Sequence, residues 1–364
     1  MNMEQLSSAD KSRLTLPDFP VDTPCFVILE DEVRHNLRET VKAAGGTDRL
    51  VPHVKTHRSP WLTEYLVQEG IKAFKTATPL EVQMVLEAGA PEVIWAYPTM
   101  NKAAILRVAM IAAKFPAAKI VGLVDAMSGL DIWQSVLTEH AVPNIKLRVD
   151  LDPGMGRTGI EMSKAAIELA IATNEAGLLD GWHVYDGHVQ DVDMQIRTHR
   201  FEGIRTSLNV LTDEAGSYGC TDDVIAGGSY SFALWAAHSN ARVSPGSWIF
   251  SSSQHQAELG DRKWRIAAYV LATVLSERNG TVTLDAGSKA ISPDMPMDRR
   301  FAGVEKIIGV KEEHSIVIAP NSTPGERIAL VPRHACTTAY LYRNALVKTS
   351  SGQWEMREQL GCER

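Results

Sequence analysis

Lys55, in the run LVPHVKTHR (50–58), ends a stretch of apolar, β-prone residues. In barrel-type α/β proteins the C-terminal ends of strands carry the catalytic groups. A charged lysine is costly to bury there, and desolvation drives it toward the neutral amine, the form that makes a Schiff base. A strand-end lysine also arises simply as a cation snorkelling out of an apolar wall. His53 and His57 flank Lys55 and alternate with it, so they read either as neighbours of a cofactor or as ordinary polar barrel residues. Lys75, near the end of the next β-rich run, is the second amine on offer.

Two later turns could hold a phosphate: Gly227-Gly228-Ser229 and Pro245-Gly246-Ser247. Glycines let backbone N–H groups approach phosphate oxygens, and serines add a hydroxyl donor. Barrels often bind phosphate after strands 7 and 8, and with a strand-end lysine these turns point to a phosphorylated cofactor that forms an imine. A further pair, His334-Ala-Cys336, would project to one face of a strand, where imidazole and thiolate suit zinc. Two protein ligands leave positions for water and substrate, as a catalytic metal needs, although an HxC pair also occurs by chance.

Gly154-Met-Gly156-Arg-Thr-Gly159 matches the dinucleotide fingerprint literally. The acid that should end the second strand is misplaced, because Asp180 reads as lying before its strand, and Arg157 would crowd a pyrophosphate. No Walker loop, GxSxG elbow or HExxH motif is present.

The elements that must position these groups alternate along the chain. β-rich runs at 50–55, 71–77, 93–97, 119–124, 145–151, 181–187, 223–228 and 241–246 are each read with a helical segment following, the last ones weak. Eight such units with near-continuously apolar strands predict a closed (β/α)8 barrel rather than an open sheet. After Trp248, β-branched runs separated by Asn-Gly, Pro-Gly and Ser-Gly turns predict a mostly antiparallel β domain, with PCFVILE (24–30) as a strand available to it. The expected division is a barrel over 31–245 and a β domain from 1–30 plus 246–364.

Composition narrows the setting. The 364 residues carry a formal charge of −7, and 45% are apolar, which excludes a disordered chain and gives no basic face for nucleic acid. Four dispersed cysteines exclude a disulfide scaffold or zinc finger. The first residues lack a signal-peptide core, and the most apolar stretch, Ala103 to Phe115, contains Arg107 and Lys114 and is too short to span a bilayer. A cytoplasmic protein without membrane contact is expected, with the Asn-x-Ser/Thr matches at Asn279 and Asn321 incidental.

PHVKTH, DPGMGRTG, YDGH, the Gly-Gly-Ser turn, PGS and PRHAC, in this order from about Thr23 to Tyr342, resemble the D-serine dehydratase / D-threonine aldolase family. These are fold-type III pyridoxal 5'-phosphate enzymes related to bacterial alanine racemase, with a cofactor barrel followed by a β domain. The resemblance implies that Lys55 holds the cofactor as a Schiff base and that Arg157 lies near its pyridine ring or phenolic oxygen. It places Tyr185 and His188 on the ring and substrate side, with His53 nearby. Gly228, Ser229, Gly246 and Ser247 take the phosphate. His334 and Cys336 hold a divalent metal, zinc in first place, with manganese or magnesium as alternatives. Aldolase members usually carry His-x-Asp, so Cys336 tilts toward the dehydratase branch. The segment PGSWIFSSS departs from relatives that carry a Tyr and an Asp after Gly-Ser. A homodimer acting on a small D-amino acid is implied.

The implied chemistry is β-elimination from a D-β-hydroxy amino acid. Lys55, displaced by the substrate amine, removes the α-proton, the cofactor spreads the carbanion charge, and the metal assists departure of hydroxide. A 2-oxo acid and ammonia result. The alternative is retro-aldol cleavage to glycine and an aldehyde, with His188 or metal-bound hydroxide as base. Racemisation, a non-catalytic cofactor carrier and a lysine Schiff-base sugar-phosphate barrel rank below these.

Overall fold

The computed structural model describes residues 6–364. The chain forms two compact units, one of residues 41–55 and 60–246 with Arg364, the other of the chain up to Thr40, residues 56–59 and residues 247–363.

In the first unit, seven strands pair in parallel in the order Ala73–Thr76, Glu92–Trp95, Lys119–Val124, Ile145–Asp152, Leu179–Val184, Val224–Ala226 and Arg242–Val243. Residues 50–53 close the ring. Leu50 bridges Val243 and His53 bridges Lys75, both in parallel. The amides of Val51 and His53 donate to the carbonyls of Val243 and Pro245, while Lys75 donates to Pro52. Eight staves result, as the alternation of the sequence predicts. Helices follow the strands because each strand leaves an outer apolar face to cover, as in Pro79–Glu87, which Thr78 caps on the Glu81 amide while the Glu81 carboxylate accepts from Ala77. A cluster of Val51, Ala73, Ile94, Val121, Leu123 and Ile225 is almost completely shielded from water. Removing that apolar area from water is what favours closure.

One barrel expectation needs correction. Asp180 does not precede its strand but lies within Leu179–Val184, where it pairs with Arg148 and Lys119. The Arg148 guanidinium, 1% exposed, is satisfied by Asp180, by Asp223 at 2.5 Å and by the Trp182 carbonyl at 3.1 Å.

The second unit is a mostly antiparallel sheet. Cys25–Leu29 lies between Ala268–Arg278, antiparallel, and Asn344–Lys348, parallel. The Asn279-Gly280 turn joins Ala268–Arg278 to Thr281–Leu284 with both residues at positive φ, 51° and 79°, as a two-residue hairpin requires. The β-prone run TTAYLYRNALVK (337–348), one of those expected to be strands, is not one strand. Its first part belongs to the short helix Ala335–Ala339, and pairing resumes at Asn344.

Candidate active site

Lys55 stands where the stave 50–53 turns into a short 3-10 segment, Val54–Thr56. Its neighbours from Val51 to Ser59 are all buried, yet Lys55 itself is exposed, so its amine faces open space rather than protein. The Lys55 amide donates to Nδ1 of buried His53 at 3.3 Å. Burial, and then the charges of Lys55 and Lys75, hold the His53 imidazole well below its ordinary range, which keeps it a neutral acceptor. His57 instead belongs with the second unit, where burial lowers it to about 3 and its Nδ1 accepts from the Ser59 amide.

Tyr185 gathers the cations. Lys55 Nζ lies 5.8 Å, Lys75 Nζ 5.3 Å and Arg157 Cζ 4.8 Å from its ring centroid. The desolvation anticipated for Lys55 falls on Lys75, which is 3% exposed. Burial and then the charge of Lys55 lower the Lys75 ammonium to about 7, against a partial restoring pull from Asp150 and Asp186. Strand ends look alike in sequence; which lysine faces open space depends on how the staves close.

Below Tyr185 on the same strand line, His183 Nδ1 and Asp150 Oδ1 are 2.6 Å apart and both buried. Thr158 donates to the other Asp150 oxygen at 3.2 Å. Burial, then Lys75, lowers His183 to about 4, so it is neutral, and its Nε2 has no hydrogen-bond partner among the described residues.

Arg157 reaches Tyr185 because the loop before it closes on itself. Asp152 Oδ1 accepts from the amides of Gly154, Met155 and Gly156 at 3.0, 2.7 and 3.1 Å. Those N–H groups are spent on a carboxylate, so the fingerprint cannot cradle a pyrophosphate.

The YDGH turn and the Gly-Gly-Ser turn are tied by Asp186, a residue unremarked in sequence. Its carboxylate accepts from Ser231 Oγ at 2.6 Å and from Trp235 Nε1 at 2.8 Å. Ser231 Oγ in turn accepts from the Gly228 amide at 3.1 Å. That amide is therefore not aimed at a phosphate. Gly228 earns its place differently, because a Cβ there would lie 3.1 Å from the Tyr185 ring. Ser229 is half-buried in the same turn, and His188 is half-buried, its shielded Nδ1 without a hydrogen-bond partner among the described residues. Gly246 ends the barrel unit, whereas Ser247 belongs to the other one, its hydroxyl 3.4 Å from His255 Nε2.

In the second unit His334 and Cys336 come together, but not on a strand. Arg327–Pro332 ends before them; His334 stands at the residue preceding the helix Ala335–Ala339 and Cys336 lies in its first turn. Asp294 Oδ2 is 2.5 Å from His334 Nδ1 and accepts from Thr337 Oγ1 at 3.0 Å, while Thr56 Oγ1 lies 3.2 Å from Cys336 Sγ. Burial pushes the His334 imidazolium down, but the hydrogen bond and charge of Cys336, with those of Asp294, outweigh it and raise it to about 9. A carboxylate on Nδ1 fixes the tautomer that presents Nε2, the usual support of a metal-binding histidine, and the N and S donors suit a borderline-soft divalent ion. No group of three or more His, Cys, Asp or Glu side chains placed to hold a metal ion occurs among the described residues. The pair therefore fits an ion that takes its remaining ligands from water or substrate.

The barrel side fits pyridoxal phosphate in the same sense: an accessible amine, an aromatic ring and a guanidinium come together in one unit, with the Gly227-Gly228-Ser229 turn against the ring. Asp186, the Asp150–His183 pair and Asp294 escaped the sequence reading. An acid inside YDGH was the available signal for the first, and nothing local marked the others.

Residues 28–254 match the family model of the alanine racemase N-terminal domain, and residues 267–348 match that of a serine dehydratase domain. A 3-hydroxy-D-aspartate aldolase of Paracoccus denitrificans (strain Pd 1222) is 23% identical over 360 residues, covering 90% of each chain. A D-threonine aldolase from Filomicrobium marinum superimposes with a TM-score of 0.85 at 24% identity, over 94% of this chain and 97% of that one. D-threo-3-hydroxyaspartate dehydratase from Delftia sp. HT23 gives 0.77 at 19% identity, over 93% and 98%. Structures named for this dehydratase include variants at a histidine and at a cysteine two positions later, the cysteine variant in a metal-free form. No helix among the described residues is long and apolar enough to cross a membrane.

Proposed function

The chain belongs to the alanine racemase N-terminal domain family, and from that premise we propose a pyridoxal phosphate-dependent lyase of D-β-hydroxy amino acids, acting by β-elimination. The observation that carries this reading is Lys55, a solvent-facing amine in an otherwise buried segment, with Tyr185 and Arg157 beside it.

When bound, pyridoxal phosphate supplies an electrophilic carbonyl for amines and an electron sink for the carbanion at Cα. Lys55 is the residue that would hold the cofactor, and its free amine would be the base that accepts the α-proton. Arg157 places positive charge against the Tyr185 ring, where an electron-rich cofactor oxygen would be held. Asp186 keeps the two turns around Tyr185 in register through Ser231 and Trp235. His334 and Cys336 are the residues that would hold a divalent ion, zinc in first place, which would supply Lewis acidity toward a hydroxyl leaving group. The metal-free cysteine variant of a D-threo-3-hydroxyaspartate dehydratase supports reading the histidine–cysteine pair in this way.

A second reading, retro-aldol cleavage, is favoured by the aldolases among the similar proteins, with half-buried His188 as the base that would take the β-hydroxyl proton. Product analysis on D-serine, D-threonine and 3-hydroxy-D-aspartate, with zinc and with manganese, separates the two. A 2-oxo acid with ammonia is the expected result; glycine with an aldehyde establishes the second. Protein that stays colourless when pyridoxal phosphate is added would sink both. A homodimer in the cytoplasm completes the proposal, with sedimentation velocity as the check on assembly.

A further inference from the structure

Lys75 is a buried amine in the barrel that the proposed chemistry leaves unused. It lies on Ala73–Thr76, paired with His53 and thus one layer beneath Lys55. Its Nζ donates to Ser244 Oγ at 3.0 Å, and Ser244 has only one hydroxyl hydrogen, directed at the Gly227 carbonyl at 3.0 Å. Ser244 therefore accepts from the lysine. Among the described residues Lys75 Nζ makes no other hydrogen bond, so the amine keeps at least one N–H without an acceptor in either protonation state. Asp150 and Asp186 attract it without reaching it.

A buried amine with idle donors is expensive unless something supplies an acceptor. The position of Nζ says where that acceptor comes from. It is 5.3 Å from the Tyr185 centroid, the ring that Lys55 and Arg157 also approach, and one hydrogen-bonded residue, Ser244, separates it from the Gly227-Gly228 turn.

We propose that Lys75 is a second amine of the cofactor site, donating a hydrogen bond from the barrel interior to an acceptor atom of bound pyridoxal phosphate while Lys55 makes the covalent attachment. The inference rests on the proposed cofactor. Two acceptors share the required chemistry, the ring nitrogen and a phosphate oxygen.

The test titrates cofactor-free full-length protein with pyridoxal phosphate, following imine absorbance, in wild type and Lys75→Met. Loss of a charge-assisted hydrogen bond weakens binding about ten- to a hundredfold. Ser244→Ala, which removes the tether but leaves the amine, shifts affinity in the same direction and guards against misfolding of the first variant; thermal melting checks both. Repeating the titration with pyridoxal and with a deaza analogue lacking the ring nitrogen identifies the acceptor. The penalty vanishes with whichever ligand lacks it. Equal affinity of wild type and folded Lys75→Met for pyridoxal phosphate overturns the inference and leaves the proposed function standing. Failure of the wild type to bind at all overturns both.

Discussion

Replacing Asp186 with alanine should loosen the barrel unit and weaken cofactor binding together. The carboxylate accepts from Ser231 Oγ and Trp235 Nε1, and all three groups are buried. Alanine strands two donors, and each buried donor left unpaired costs about 1–3 kcal/mol. Part of this is offset, because burial is the main influence on Asp186 and raises its pKa despite the hydrogen bonds, so the native carboxylate is itself under penalty. A net loss of about 2–4 kcal/mol follows, which for a unit of this size lowers Tm by roughly 5–15 °C. Because Ser231 also accepts from the Gly228 amide, the turn beside Tyr185 loses its anchor, and affinity for pyridoxal phosphate should fall at least several-fold. The isosteric Asp186→Asn can still accept from Trp235 and should cost less. Its sign with pH is fixed as well: a carboxyl whose folded pKa is raised contributes stability below its unfolded value and loses it as pH rises through the folded value. The advantage of wild type over Asp186→Asn should therefore shrink as pH climbs from the ordinary carboxyl range toward neutrality. Differential scanning fluorimetry and cofactor titration measure these effects. A Tm within 2 °C of wild type for Asp186→Ala, with unchanged cofactor affinity, would refute the reasoning (~0.5 kcal/mol on the same scale).

Lys55→Ala should abolish both the visible absorbance of the cofactor and turnover; an absorbance band that survives, red-shifted or not, moves the attachment to Lys75. Gly228→Ala should push the Tyr185 ring, since the new Cβ meets it at 3.1 Å, and weaken cofactor binding with little change in Tm; unchanged affinity means the ring has room to yield. Cys336→Asp should retain the cofactor and shift metal preference from zinc toward manganese, read by metal analysis after dialysis, whereas loss of the cofactor as well would show that the pair is structural.

The architecture was legible because strands buried on both faces announce themselves as apolar runs, and the eight staves follow those runs even where the last, Arg242–Val243, is only two residues long. Asn279-Gly280 likewise named its hairpin. What the sequence could not convey is depth. Lys55 and Lys75 both end apolar runs, yet one faces open space and the other is sealed behind the ring of staves. The same limit misassigned the HxC pair. Alternation made a strand plausible, but the ladder ends at Pro332 and the two side chains meet instead through a helix start. Asp150, His183 and Asp294 pair across long sequence separations, and no local spacing encodes such contacts.

The glycine fingerprint shows how one motif can serve opposite ends. In a dinucleotide site the same glycines free their amides for an anion that arrives from solution. Here Asp152 provides the anion from within the chain, accepting three successive amides, and the Gly159 amide is taken by Asp125 at 3.1 Å. A Cβ on Gly159 would strike the Asp152 backbone at 2.6 Å, so the loop tolerates no side chain where it folds back. The consequence is a rigid turn with Arg157 carried on its outer side and its guanidinium over Tyr185. The glycines are thus retained for the shape of the loop, and the charge they serve is a cation presented to the site rather than an anion received by it.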